Sequence, residues 1–209
     1  MPDDPQLFYV HDPMCSWCWG FRPTFERLCA GLPEGIGVTW LLGGLAPDSD
    51  QPMPAELQAH LQDTWRRIQQ RIPGTRFNFD FWRDCRPRRS TWPACRAVIA
   101  ARTLDPSLGV AMVHAIQHAY YLEARNPSDT ETLVALARQL GLPVDRFASL
   151  LDTPQTREAL DHEIAQARRI GADSFPSLRL QIGQGHWPVP VHYTDTQPML
   201  QTVRALIEG

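Results

Sequence analysis

The hydrophobic period changes twice along this chain, and the order of the changes limits the folds open to it. Leu7-Phe8-Tyr9-Val10-His11 is a continuous apolar and aromatic run closed by Asp12-Pro13, the mark of a buried strand. From Ser16 to about Ala30 the period becomes helical, with Phe21, Phe25, Leu28 and Cys29 three or four residues apart. Pro23 lies inside that stretch and predicts a kink after two turns. Gly31, Pro33, Gly35 and Gly37 stop the helix, and Val38-Thr39-Trp40-Leu41-Leu42, closed by Gly43-Gly44, is a second strand. Strand, helix and strand over this span have the length of one βαβ unit.

From about Pro47 to Arg169 the period is helical almost throughout. The predicted helices cover Ala55 to Ile72, Pro93 to Leu104, Val110 to Ala124, Ser128 to Leu140, Val144 to Leu151 and Thr153 to Ile170. Gly, Pro, Asn, Asp or Ser opens or closes each of them. Gly74 to Ser90, dense in arginine and aromatic residues, reads as a surface loop or short helix. Period two returns in Ser177 to Ile182; Gly183-Gln184-Gly185 can turn the chain, and His186 to Tyr193 is a second extended run, which together predict a hairpin. Thr194 or Asp195 can cap a last helix that buries Met199, Leu200, Val203, Ala205, Leu206 and Ile207. The fold class is therefore α/β, a βαβ…ββα frame over residues 1–45 and 166–209 with an all-helical insertion over residues 46–165.

Composition excludes several functions. With 209 residues, 43% hydrophobic and 21% charged, the chain can bury a core without disulfide staples and is not a disordered polymer. A net charge of −3 gives no nucleic-acid footprint. All 20 basic residues are arginine, which removes any Schiff-base or phosphate-cradling lysine. The stretch Met1 to Gln6 has neither a cationic segment nor an apolar core, and no run of about eighteen apolar residues occurs, so neither a secretory signal nor a membrane span is predicted and the expected location is cytoplasmic.

Five cysteines without a secretory context point to reactive or buried thiols rather than a disulfide framework. Cys15-Ser16-Trp17-Cys18 falls where the first strand hands over to the first helix. Unpaired backbone N–H groups and the helix dipole favour a thiolate at Cys15, and Cys18, one turn on, can close a disulfide with it. The spacing predicts an exposed attacking thiol and a partly buried resolving thiol, which thiol–disulfide exchange requires. The pair could instead be half a zinc site, but Cys85 and Cys95 are ten apart and do not form the second half. A c-type haem site needs His after the second cysteine, where Trp19 stands. The strand–CxxC–helix context favours redox chemistry over these and over two simple buried hydrophobes. A second constellation, Ser174-Phe175-Pro176-Ser177, puts a proline directly ahead of a strand, where a cis bond would set the Phe175 backbone against another element.

With Asp12 to Phe21, Gly43-Gly44-Leu45, Trp92 to Ala97 and Ser174 to Ser177 taken together, the sequence resembles the thioredoxin-fold superfamily and, within it, the DsbA family. The likeness spans the whole chain and is greatest to the FrnE-like branch of disulfide isomerases, beside the 2-hydroxychromene-2-carboxylate isomerase and kappa-class glutathione transferase group. The resemblance implies a thioredoxin core, Cys15 as nucleophile, Cys18 as resolving thiol, and Pro176 as a cis-proline facing the pair. It also implies that Phe175 offers backbone hydrogen bonds to a bound thiol or peptide. Protein or small-molecule thiols and disulfides would be the partners, with glutathione a candidate reductant and no metal or organic cofactor required. Trp17 between the cysteines and His11 beside the helix start are further candidate substrate contacts, and a protonated His11 would favour the Cys15 thiolate.

The departures are informative. Chromene isomerases and kappa-class transferases typically carry serine at the active helix start and bind glutathione without a CxxC, so dithiol redox is favoured here. A glutathione-dependent isomerase or transferase is the alternative, and a non-catalytic zinc- or partner-binding module the more distant one. The buried acid that many thioredoxins place six residues ahead of the first cysteine is absent, since Tyr9 stands there. Glu26 is either a proton shuttle or a solvated face charge. Cys29 lies ~16 Å along the helix from Cys18 and reads as core. Cys85 and Cys95 could form a second redox pair, with Arg83, Arg86, Arg88 and Arg89 favouring a reactive thiolate or forming a solvated or docking face. Trp65, Phe77, Phe79, Phe81, Trp82 and Trp92 could roof an apolar groove or build the core of the insertion.

Overall fold

Both faces of the first strand are apolar because it lies inside a sheet covered on two sides. In the computed structural model, which describes residues 5–208, β1 (Gln6–His11) pairs in parallel with β2 (Gly37–Leu42) and antiparallel with β3 (Ser177–Ile182). Strand β3 pairs antiparallel with β4 (Gly185–Val189), giving the order β2-β1-β3-β4. Of the stretch read for a targeting signal, Met1 to Asp4 lies outside the described residues.

Alternation along β1 sorts its side chains between two layers. Leu7 and Tyr9 pack with Phe21, Phe25 and Leu28 of α1 (Ser16–Gly31) and with Met199, Leu200 and Val203 of the last helix, α9 (Gln197–Glu208). Phe8 and Val10 face the other way, onto Leu41, Ala167, Ile170 and Ala172. The spacing of the apolar positions on α1 is thus what seats the helix on the sheet, and the assigned helix runs unbroken through Pro23.

The chain divides into two compact units. One runs up to Gly43 and resumes at Glu163; the other is Gly44–His162. The second unit holds α2 (Ala55–Arg71), the short α3 (Phe81–Asp84), α4 (Trp92–Leu104), α5 (Leu108–Leu122), α6 (Thr130–Gln139), α7 (Val144–Leu150) and the start of α8 (Pro154–Arg169). Its aromatic residues make a core of their own. Trp65 is fully buried and stacks on Phe77 at 4.8 Å, ringed by Phe79, Phe81, Trp82, Tyr120 and Tyr121. That network accounts for the aromatic density of the insertion as ordinary core; Trp92 is set apart from it, with its indole N–H donated to the Gly44 carbonyl at 3.2 Å.

Two boundaries differ from the sequence reading. The extended run from His186 stops at Val189, because Pro190 follows and has no N–H for the ladder. Pro188 is tolerated because β4 is an edge strand. The last helix begins at Gln197, with Asp195 Oδ1 accepting the Gln197 N–H at 2.9 Å, so Asp195 rather than Thr194 organises the turn. Met199, Leu200 and Val203 are its buried residues, whereas Ala205 and Ile207, expected on that side, are exposed. No helix among the described residues is long and apolar enough to cross a membrane.

Candidate active site

The handover from β1 to α1 is built by Asp12. Its Oδ1 accepts the Met14 N–H at 2.8 Å, closing a turn two residues on, and its carbonyl accepts the Cys15 N–H at 3.0 Å. Cys15 thereby becomes the N-cap residue, with extended backbone (φ −79°, ψ 115°), and its carbonyl takes the first helical hydrogen bond, from Trp19 N–H at 3.0 Å. Its sulfur makes no capping bond. Instead Cys15 Sγ lies 3.6 Å from the carbonyl oxygen of Phe175, to which the thiol donates.

The Phe175–Pro176 peptide bond is cis. The ring of Phe175 is seated on Gly43, where any Cβ would collide with the ring carbons. Gly43 is held in turn by its N–H, donated to the His11 carbonyl at 2.7 Å, and the preceding Leu42 N–H is donated to the buried Glu163 carboxylate at 2.8 Å. The glycine pair after β2 therefore ends the strand and makes room for the residue whose carbonyl meets the first thiol.

Both cysteines are free thiols. Cys15 is 6% exposed and Cys18 fully buried. The sequence reading called for an exposed attacking thiol; the structure corrects this, because the Phe175 carbonyl covers Cys15, and only the order of exposure between the two holds. Burial pushes the Cys18 thiol well above its ordinary range, the neighbouring Cys15 adds to the rise, and a backbone hydrogen bond from Asp12 works against it. Cys18 is accordingly held as a thiol in this state.

The remaining predicted site residues fall into different places. Trp17 is half-buried and its ring lies 5.0 Å from that of Tyr193, on a segment tied to α1 by Thr24 Oγ1 donating to the Tyr193 carbonyl at 2.6 Å. His11 is 1% exposed, stacked on Tyr9 at 5.0 Å and edge-on to Trp40 at 5.1 Å, so it reaches a substrate only through the residues that cover it. Glu26 is exposed and pairs with Arg22 at 3.7 Å on the solvent side of α1, a face charge and not a proton shuttle. Cys29 packs half-buried against the α1 layer, its thiol pushed up to about 11 by burial.

Cys85 is not the reactive thiolate that its arginine neighbours suggested. Its Sγ donates to the Ala124 carbonyl at 3.0 Å, and burial, with Asp129 and Asp84 nearby, raises its pKa. Two of the four arginines there are taken up by acids: Arg83 by Asp80 and Asp84, Arg88 by Asp129. Cys95 is fully buried in α4, and neither thiol is in a disulfide. Among the described residues no group of three or more His, Cys, Asp or Glu side chains is arranged to hold a metal ion.

Sequence reasoning took Asp12 and Gly43 only as parts of motifs, gave them no role of their own, and did not place Glu163 or Tyr193 at the site. Asp-Pro ahead of the CxxC carried the turn signal for Asp12. The other three act through partners distant in the chain, with no local mark.

Residues 7–189 match the model of the DSBA-like thioredoxin domain, and the chain belongs to that family. Among solved structures it is similar to a provisionally assigned protein disulfide isomerase from Nitrosomonas europaea, at 25% identity and a TM-score of 0.84 over 99% of this chain and 98% of that one. It is also similar to the cytosolic disulfide reductase DsbM from Pseudomonas aeruginosa, at 30% identity and a TM-score of 0.73 over 97% of both chains, a protein also solved with glutathione. The ClpXP adapter protein SpxH of Halalkalibacterium halodurans is 22% identical over 177 residues, 83% of this chain and 57% of the relative. The chain thus spans little more than half the length of that relative. Fold and family together define a thioredoxin-fold protein of the DSBA-like kind, similar to proteins described as disulfide isomerases and reductases.

Proposed function

We propose that this protein is a thiol–disulfide oxidoreductase that works through Cys15 and Cys18, and that it acts as a disulfide reductase in the cytoplasm. The observation that carries the reading is the position of Cys15 Sγ, 3.6 Å from the Phe175 carbonyl beside Pro176, at the start of the helix that holds the buried Cys18 one turn on. Similarity to a cytosolic disulfide reductase at 30% identity supports the direction and the location.

In the proposed cycle the Cys15 thiolate attacks one sulfur of a substrate disulfide. A Cys15–substrate bond forms, the substrate disulfide breaks, and the first substrate sulfur leaves as a thiolate. Cys18 then gives up its proton and attacks Cys15, forming the Cys15–Cys18 bond and releasing the second substrate sulfur. Two electrons have passed from the dithiol to the substrate. Two thiols of a reductant such as glutathione restore the dithiol, themselves becoming a disulfide. Because the two electrons are carried by the reduced Cys15 and Cys18 thiols, the chemistry requires no metal or organic cofactor. The Phe175 carbonyl accepts from a backbone N–H of the bound substrate, and Trp17 lies beside its path.

Turnover of a small disulfide with glutathione as reductant tests the reading. Cys15→Ser is expected to abolish it, since the thiolate is the nucleophile. Equilibration against glutathione buffers is expected to give a potential nearer the about −270 mV of thioredoxin than the about −120 mV of DsbA. Full activity in Cys15→Ser, or no disulfide between the two cysteines at any potential, overturns it.

A further inference from the structure

The Phe175 carbonyl that meets Cys15 belongs to the loop between α8 and β3, and both ends of that loop are tied. At its start Gly171 takes a left-handed turn, at φ +73°, which glycine adopts without strain. The Gly171 N–H is donated to the Arg168 carbonyl at 3.0 Å and the Ala172 N–H to that of Ala167 at 2.9 Å, so the turn closes the helix with its own N–H groups. The carbonyls of Ile170 and Gly171 go to a side chain. Arg179 Nε donates to Ile170 at 3.0 Å and Nη2 donates to Gly171. At the loop's other end the buried Ser177 hydroxyl donates to the Ser174 carbonyl at 2.6 Å.

Arg179 is well placed to hold a loop still. It sits within β3, opposite Phe8 of β1 and Pro188 of β4, so its backbone is part of the sheet. Its Nη1 donates to the Leu178 carbonyl of the same strand at 3.0 Å, which fixes the guanidinium to the strand while the other nitrogens reach the loop. The guanidinium is planar and carries its donors in a rigid fork, so it holds two successive carbonyls in one geometry; a lysine ammonium has no such fork. Its charge also lies at the C-terminal end of α8, where the helix dipole favours a cation.

We propose that Arg179 is a positioning residue for the dithiol site: by clamping the Ile170 and Gly171 carbonyls to β3 it sets the loop where the Phe175 carbonyl can accept a backbone N–H of the substrate beside Cys15. The inference rests on the dithiol reading given above and deepens it. Arg179 acts through the loop and enters no bond-making or proton-transfer step. Its effect therefore falls on substrates that have a backbone N–H to offer.

The test mixes reduced protein with an excess of either of two disulfides, the disulfide-linked dimer of a short blocked cysteine peptide or hydroxyethyl disulfide, which has no N–H. Samples are quenched in acid and alkylated, and the loss of free Cys15 and Cys18 thiols gives a rate constant for each disulfide. The readout is the ratio of the peptide rate to the hydroxyethyl rate. Arg179→Gln is expected to lower that ratio about tenfold, the effect of one hydrogen bond. Arg179→Lys, which keeps the charge and loses the fork, is expected to lower it as well. A merely structural role lowers stability in urea and leaves the ratio where it was. An unchanged ratio in the folded variants overturns the assignment, and if Arg179→Gln fails to fold Arg179→Lys decides alone. If the unsubstituted protein is oxidised by neither disulfide, the dithiol reading itself fails, and the role of Arg179 with it.

Discussion

The ring of Phe175 rests directly on the α-carbon of Gly43, while the carbonyl of the same Phe175 lies 3.6 Å from Cys15 Sγ. A residue 132 positions earlier in the chain thus governs where the backbone that meets Cys15 sits. Gly43→Ala forces the ring away, and packing of this kind cannot adjust without cost. The substitution is expected to destabilise the protein by about 1–3 kcal/mol and to slow disulfide exchange at Cys15. Phe175→Ala removes the clash, so the two substitutions together should cost less than their sum in a urea-unfolding double-mutant cycle. Additive costs would show that the ring and the glycine are not coupled.

Cys29 gives a prediction about alkaline pH. Its thiol is pushed up from an ordinary 9.0 to about 11 in the folded protein by burial. Between those values the unfolded chain has lost the proton and the folded chain retains it, so the unfolded state binds fewer protons and stability falls as pH rises. The contribution is fully present below about pH 9 and is lost on approach to about pH 11. Cys29→Ala removes it, and the variant should lose stability less steeply than the parent across that window in pH-dependent unfolding. Equal slopes would place the titration elsewhere.

Arg96 and Arg157 share acidic partners but differ in burial, and they separate two kinds of ion pair. The Arg96 side chain is 6% exposed, bonded to Asp48 at 2.8 Å, to Asp152 at 3.1 Å and to the Leu151 carbonyl at 2.9 Å. Arg157 meets the same two acids but is 50% exposed. Arg96→Ala leaves the buried Leu151 carbonyl without its donor, while the exposed carboxylates keep Arg157, and is expected to cost about 1–3 kcal/mol. Arg157→Ala is expected to cost no more than about 1 kcal/mol. Chemical denaturation of the two variants distinguishes them, and equal effects would contradict the account of this cluster.

Glu163 closes the end of β2 through the Leu42 N–H at 2.8 Å. Glu163→Ala orphans a buried donor and is expected to cost about 1–3 kcal/mol. Glu163→Gln keeps an acceptor oxygen and should lose less. Identical losses measured by thermal unfolding would mean that the hydrogen bond contributes nothing.

The elements were legible wherever a local period or a turn residue marks them. The unbroken apolar run of β1, the three- and four-residue steps of α1 and the two-residue turn at Gly183-Gln184 each follow from their own few residues. The cysteine pair was legible for the same reason, since Asp-Pro, the strand end and the CxxC are contiguous. What escaped depends on partners far apart in the chain. No local pattern announces that Glu163 reaches Leu42, or that Gly43 is a seat for Phe175. The reading of Cys85 failed for a related reason. The sequence puts arginines beside it, but Asp129, 44 residues on, pairs with Arg88 and lies close enough to raise the thiol. Burial decided the rest: His11 and Cys15 are both more enclosed than a strand end and a helix start suggest, because the aromatic layer and the Phe175 loop close over them.

The central claim is that Cys15 takes the substrate and Cys18 releases it. The direct measurement is intact-mass analysis of reduced parent, Cys18→Ser and Cys15→Ser proteins after brief exposure to oxidised glutathione, with free thiols then alkylated. The account predicts an internal Cys15–Cys18 disulfide in the parent, a glutathione adduct on Cys15 that persists in Cys18→Ser, and neither product at these two positions in Cys15→Ser. An adduct that forms on Cys18 when Cys15 is replaced, or a parent protein that keeps glutathione on Cys15 without closing the internal bond, would contradict it.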